Sequence, residues 1–226
     1  MEDYYDRRAA EYEEVYARDD PVVQRELTRI ATVVESSVNG RLVLEIACGT
    51  GYWTQLASHR ARGIHAIDIS SKMLEMAKRK RYECPVSFCR ANAYNLPFRD
   101  GFFNAGLASF WFSHIPKDRI KAFLNSFHRK LEEKTPSNIV LADNVYVHGL
   151  GGELVSRPND ENTYKLRKLR DGSEHLVLKN YYSEQMLRET FGKFVSPNDP
   201  DSVTVFYGTR LWCVSYRVQG PRLFCP

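Results

Sequence analysis

The chain has 226 residues, of which 43% are hydrophobic and 27% charged, with a formal net charge of +4; this is the composition of an ordinary globular protein with a full core. No apolar run approaches the roughly 18 residues of a membrane span, and the charged opening MEDYYDRRAAEYEEVY is no secretory h-region, so a cytoplasmic protein without a membrane partner is expected. The five cysteines (48, 84, 89, 213 and 225) lack metal-ligand spacing and read as reduced, mostly buried thiols.

Residues 5–18 read as a helix with Ala9, Ala10, Tyr12, Val15 and Tyr16 on one side. Pro21 opens a second helix to about Val34, stopped by Asn39-Gly40. A strand over 42–46 leads into a glycine loop and a helix over 53–61. A second strand, GIHAIDI (63–69), precedes a helix capped by Ser70 or Ser71. Strands are expected at 86–93, 102–110 and 138–144, with a helix over DRIKAFLNSFHRKLEE (118–133) between the last two. A helix at 183–191 and a hairpin over 203–218 close the chain.

Near-continuous apolar strands alternating with helices predict a doubly wound, mostly parallel α/β sheet covered on both faces. The closing hairpin adds an antiparallel edge strand. One domain spans 1–226. Residues 145–182, with a hairpin around Asp171-Gly172, exceed a minimal α/β unit and are expected to cover one end of the sheet, where substrate selectivity would arise. Basic clusters at 78–83 and 164–172 read as solvated faces, with acids interspersed elsewhere, rather than as a nucleic-acid surface.

In such sheets, ligands sit beyond the carboxyl ends of the strands where strand order reverses, which points to the loop after the first strand. That loop reads Glu45-Ile46-Ala47-Cys48-Gly49-Thr50-Gly51-Tyr52-Trp53. A dinucleotide loop needs a third glycine, and a phosphate loop needs Gly-Lys-Ser/Thr; both are absent. An acid just before two glycines suits a ligand with a positive group and repels a pyrophosphate.

LEIACGTGYW, then AIDIS, RANAYNLPF and GLASFWFSHI, in this order and spacing, resemble the motif series of class I S-adenosylmethionine-dependent methyltransferases, in the style of quinone-biosynthesis enzymes. The likeness covers about residues 40–145. It implies a seven-stranded sheet with a C-terminal antiparallel hairpin, and S-adenosyl-L-methionine as cofactor. Glu45, Ala47, Cys48, Gly49, Thr50 and Gly51 would hold the methionine end, and Asp68 the ribose hydroxyls. Ile69 and Met73 would line the adenine pocket. Asn92, where the family usually has aspartate, would accept from the adenine amino group, Ala93 would bond the ring through its N–H, and Tyr94 would stack. Ser109 and Phe110 would lie under the sulfonium. Residues 1–36 would form lid helices, with Tyr12 as the contact residue.

The implied reaction is methyl transfer to oxygen or nitrogen of a small-molecule acceptor. His114, directly after the fourth strand, is the candidate base, with His148 second. Trp111, Tyr164 and Arg167 are candidate acceptor contacts. No nucleic-acid partner is expected, and the protein would be a monomer or homodimer. A nucleic-acid or protein methyltransferase is a weaker reading, because SFWFSHIP lacks the Asn/Asp-Pro-Pro-aromatic run. A non-catalytic cofactor-binding module is a further alternative.

Overall fold

The computed structural model describes residues 2–17, 19–131, 136–195 and 203–218. Strands β1 (Leu42–Ile46), β2 (Gly63–Asp68), β3 (Val86–Arg90), β4 (Ala105–Ser109) and β5 (Ser137–Asn144) run parallel. With β9 (Val203–Tyr207) and β10 (Leu211–Val218) they form one seven-stranded sheet in the order β3-β2-β1-β4-β5-β10-β9. The closing hairpin is present, but its antiparallel strand β10 is interior, paired to both β5 and β9, and β9 is the edge. Buried positions run almost unbroken along β10, as a strand covered on both faces requires.

Side chains alternate across each strand, and the two faces collect different helices. Leu44 and Ile46 of β1 point to the face covered by Phe123, Leu124 and Phe127 of α5 (Ile120–Arg129) and by Leu187 and Phe191 of α6 (Glu184–Gly192). Gly106 of β4 admits the Phe127 ring there; a Cβ would stand 2.6 Å from its Cζ. Val43 points the other way, toward Ile30, Val34 and Val38 of α2 (Pro21–Val38) and Trp53 and Ala57 of α3 (Tyr52–Ser58). Asp20 caps α2 by accepting from Val22 and Val23 N–H. Although α2 falls within the expected lid, its apolar stripe belongs to the cover of the sheet.

The expected first helix is shorter, α1 (Glu2–Arg8), and continues as a 3-10 turn over Ala9–Val15. The expected helix over 118–133 begins with a 3-10 turn at Lys117–Arg119 and its α-helical part ends at Arg129. Its residues 132 and 133 lie outside the described residues, as does Cys225. Cys48 and Cys213 are buried, Cys84 is half-buried and Cys89 exposed, all as free thiols. Among the described residues no helix is long and apolar enough to cross a membrane.

The segment after β5 forms its own antiparallel sheet of β6 (Leu154–Ser156), β7 (Thr163–Lys168) and β8 (Glu174–Leu178), the last two joined at Gly172 with φ +82°. It closes on the N-terminal segment. Tyr4 packs with Leu169 and Val177, and Arg170 pairs with Glu11 and Glu14.

On α5, His128 hydrogen-bonds the Tyr216 hydroxyl through Nε2 at 2.8 Å, and burial lowers it from 6.5 to about 4. A folded-state value below the unfolded one means that protons favour the unfolded chain. Stability is therefore complete above about pH 6.5 and declines as pH falls toward 4, by about 2 kcal/mol at pH 5 from this residue alone. Denaturant melts from pH 7 to 5 should show that slope. His128→Gln, which keeps a polar partner for Tyr216 without titrating, should flatten it; an unchanged slope would remove His128 as a source.

Candidate active site

The strand order reverses between β1 and β4, and the loops after these two strands frame a cavity. Ala47 (φ +54°) and Phe110 (φ +58°) end the two strands in the left-handed region that non-glycine residues avoid, and both line the cavity. Such strain persists where surrounding structure enforces it, commonly at a functional site. Gly49, at φ +56°, lies beneath the Tyr12 ring, 3.7 Å from where its Cβ would stand.

Asp68 ends β2 at the same rim. Its Oδ2 accepts from Gly49 N–H at 2.8 Å and its Oδ1 from Ser70 N–H at 2.9 Å, so it ties the glycine loop to the second strand. Burial pushes this carboxyl up, while the N–H groups of Ser70, Gly49 and Ile69 pull it down. Ile69, Met73, Asn92, Ala93 and Tyr94 continue the wall. The Asn92 amide oxygen accepts from Tyr94 N–H at 2.9 Å, with its second lone pair left for a ligand. Arg119 lies over the Tyr94 ring, 4.3 Å from its centroid.

A second cavity opens on the other side of Tyr5, Tyr12, Phe110 and His114, which line both. The small sheet and the N-terminal segment enclose it, and Arg167 of β7 reaches into it. The N-terminal segment is fastened at several points: Asp6 to Ser70, Glu13 to Thr50 and Lys80, and Tyr5 to His114.

Residues 43–134 match the family described as methyltransferase domain. The malonyl-[acyl-carrier protein] O-methyltransferase of Halorhodospira halophila is 32% identical over 119 residues, which are 50% of this chain and 39% of that one. A demethylmenaquinone methyltransferase of Clavibacter sepedonicus is 36% identical over 98 residues, 42% of this chain and 39% of that one. The chain thus spans less than half the length of these two relatives. In fold it is similar to DhpI in its SAH complex, with TM-score 0.74 at 24% identity, covering 97% of this chain and 95% of that one. Over residues 43–134 the chain is thus similar to methyltransferase domains, and over nearly its whole length its fold is similar to that of DhpI.

The walls of the first cavity fit S-adenosylmethionine, the cofactor that the motif resemblance implies. Asp68 retains lone pairs for ribose hydroxyls, Gly49 presents backbone without a Cβ, and the Trp111 indole N–H, on the wall, is a buried donor with no partner among the described residues. Other residues expected in the site stand behind the wall. Glu45 is 1% exposed, and burial raises it from 4.5 to about 8. Cys48 and Ser109 are also buried, Thr50 donates to Glu13 at 2.6 Å, and Gly51 at φ +80° turns the chain into α3 against Tyr82. Any reach of Glu45 to a ligand therefore passes through the loop it underlies.

His114 sits at the junction of the two cavities. Its Nδ1 is 2.6 Å from the Leu178 carbonyl, which can only accept, so Nδ1 carries the proton and Nε2 accepts from the Tyr5 hydroxyl at 2.9 Å. Burial, reinforced by the nearby Lys179 cation, holds the ring well below its usual value and hence neutral. His148 is exposed in the loop after β5 and lines neither cavity. Tyr164 also lines neither; its hydroxyl donates to Asp160 at 2.7 Å, and Arg157 covers its ring.

Sequence reasoning missed Arg8, Lys179 and Asp143. Arg8 faces the second cavity from α1. Lys179 and Asp143 form a buried pair at 2.7 Å just behind His114. An isolated acid at the end of a buried strand was the one signal for that pair.

Proposed function

We propose that the chain transfers a methyl group from S-adenosylmethionine to an oxygen or nitrogen of a small-molecule acceptor. The observation that carries this reading is the pair of cavities meeting at Tyr5, Tyr12, Phe110 and His114, one with the walls of a nucleoside site and the other closed off by the small sheet. When bound, the cofactor supplies an electrophilic methyl carbon on a sulfonium. The protein's part is to bind, align and keep water out.

Asp68 reads the ribose, while Ile69, Met73, Asn92, Ala93 and Tyr94 hold the adenine. Ala47 and Gly49 present backbone to the methionine end, with Glu45, Cys48, Thr50, Gly51 and Ser109 supporting the loop from behind. Tyr12, over Gly49, Phe110, at the junction, and Trp111, on the wall of the first cavity, exclude solvent from the transfer point. His114 offers its Nε2 lone pair there. For a hydroxyl acceptor it takes the proton in place of the one Tyr5 donates, and Arg167 contacts the acceptor from the far wall.

Calorimetry with S-adenosylhomocysteine tests the cofactor half, and a screen of phenols, acids and amines with labelled cofactor, read by product mass, tests the rest. Binding of a nicotinamide nucleotide in its place would overturn the assignment. His114→Ala should lower kcat about a hundredfold on a hydroxyl acceptor while leaving S-adenosylhomocysteine affinity unchanged. Undiminished turnover would remove His114 as the proton acceptor.

A further inference from the structure

Among the described residues, the second cavity is lined by four cationic side chains, Arg8, Arg167, Lys179 and Arg210, and by no carboxylate. Two of the four are already satisfied. Lys179 donates to Asp143 Oδ1 at 2.7 Å, to Ser113 Oγ at 2.7 Å and to Asn144 Oδ1 at 2.9 Å, and Arg210 pairs with Asp20 at 3.5 Å.

Arg8 and Arg167 are different. Arg8 donates to the Tyr4 hydroxyl at 3.0 Å and lies 5.2 Å from the Tyr12 ring centroid, contacts that leave its charge uncompensated. Arg167 lies across Gly151, where a Cβ would stand 2.6 Å from Nη1, so only a glycine lets the guanidinium rest there. Neither arginine has a carboxylate partner among the described residues. Their charges reach the same groups: Arg8 and Arg167 both act on Lys179, Arg167 on His114 and Tyr181, and Arg8 on Tyr5.

Holding two uncompensated guanidiniums around one half-enclosed, aromatic-walled space is costly through repulsion and lost hydration. An anion between them removes both costs, and a planar guanidinium matches two oxygens of a carboxylate or phosphoryl group at once. We propose that the methyl acceptor carries an oxyanion, a carboxylate or a phosphoryl group, that Arg167 binds with Arg8 opposite it in the second cavity. This rests on the methyltransferase reading above, since His114 and Phe110 place that cavity beside the transfer point. The net cationic lining also disfavours acceptors with a net positive charge, which would add to the repulsion.

The test uses the whole chain saturated with S-adenosylhomocysteine and three probes in calorimetry: benzoate, phenylphosphonate and the uncharged benzyl alcohol. The expected result is binding of at least one anion and at least about tenfold weaker binding of the alcohol. Arg167→Gln should weaken the anion by at least about tenfold without altering S-adenosylhomocysteine affinity, and Arg167→Lys should restore part of the loss. Whichever anion binds tighter identifies the oxyanion class. The proposal is overturned if neither anion binds, if the alcohol binds as well as they do, or if Arg167→Gln leaves the anions unaffected. Failure of S-adenosylhomocysteine to bind the unaltered chain would count against the cofactor reading instead, and the anion titrations repeated without it would still report on the cavity.

Discussion

Asp68→Ala is expected to weaken S-adenosylhomocysteine binding by about a thousandfold. Two charge-assisted hydrogen bonds from ribose hydroxyls, at about 2 kcal/mol each, account for that factor. The carboxylate has a second task that must be separated from the first, because it also accepts from Gly49 and Ser70 N–H and thereby fixes the glycine loop. A ligand lacking one ribose hydroxyl makes the separation. It should bind the unaltered protein much more weakly than S-adenosylhomocysteine does, yet the two should bind Asp68→Ala equally, since the variant has nothing to distinguish them. A variant that still discriminates, or that keeps affinity within threefold of the starting protein, would show that Asp68 serves the loop alone.

That experiment addresses the part of the molecule most legible from the residues. LVLEI and GIHAID are apolar enough to be recognised as buried parallel strands, and a loop of two glycines after an acid has few uses. The role of Glu45 was less legible. Sequence places an acid beside a cationic ligand, whereas the fold buries the side chain on the far side of the loop, where it is raised to about 8. Glu45 stands two and four positions before Ala47 and Gly49, which line the cavity, so strand alternation would turn it the same way; β1 ends at Ile46 and the left-handed Ala47 breaks that register, which spacing alone does not reveal.

The lid was legible as aromatic residues and illegible as fastenings. Tyr12 over Gly49 follows from a helix face, but Asp6 to Ser70 and Glu13 to Lys80 join residues more than sixty positions apart. Likewise YKLRKLRDG looked like a solvated basic strip. Period-2 alternation in a hairpin sends Lys165 and Arg167 inward, Lys165 to the carbonyls of Leu150 and Gly152, and leaves Lys168 and Arg170 exposed. Nothing in composition separates these pairs until the hairpin's register is known.

The largest effect on stability is expected at the pair behind the site. Asp143 ends β5 with its carboxylate fully buried; it accepts from Ser113 and Asn144 N–H and from Lys179, which follows β8. Lys179 draws the Asp143 carboxyl below its ordinary 3.8 against the opposing effect of burial, so the pair's contribution is present above about pH 4 and is lost below it. Lys179→Met leaves that carboxylate without a counter-charge and should cost about 3–5 kcal/mol, a fall in Tm of about 10 °C for a chain of this size. Adding Asp143→Asn removes the stranded charge and keeps an acceptor for one of the two N–H groups, which bond to different oxygens of the carboxylate, and should recover at least about 2 kcal/mol of the loss. A Lys179→Met variant within 1 kcal/mol of the starting protein, or a double variant no more stable than the single, would mean that the pair does not anchor the small sheet. The anchoring reading matters for chemistry, because Asn180 N–H donates to the Ser113 carbonyl and its amide to Ile115, so the same two-residue corner that places Lys179 also sets the turn carrying His114. The double variant should therefore fold well and still turn over more slowly, its S-adenosylhomocysteine affinity unchanged, because the loop that aligns the acceptor has lost its charged tether while the cofactor walls have lost nothing.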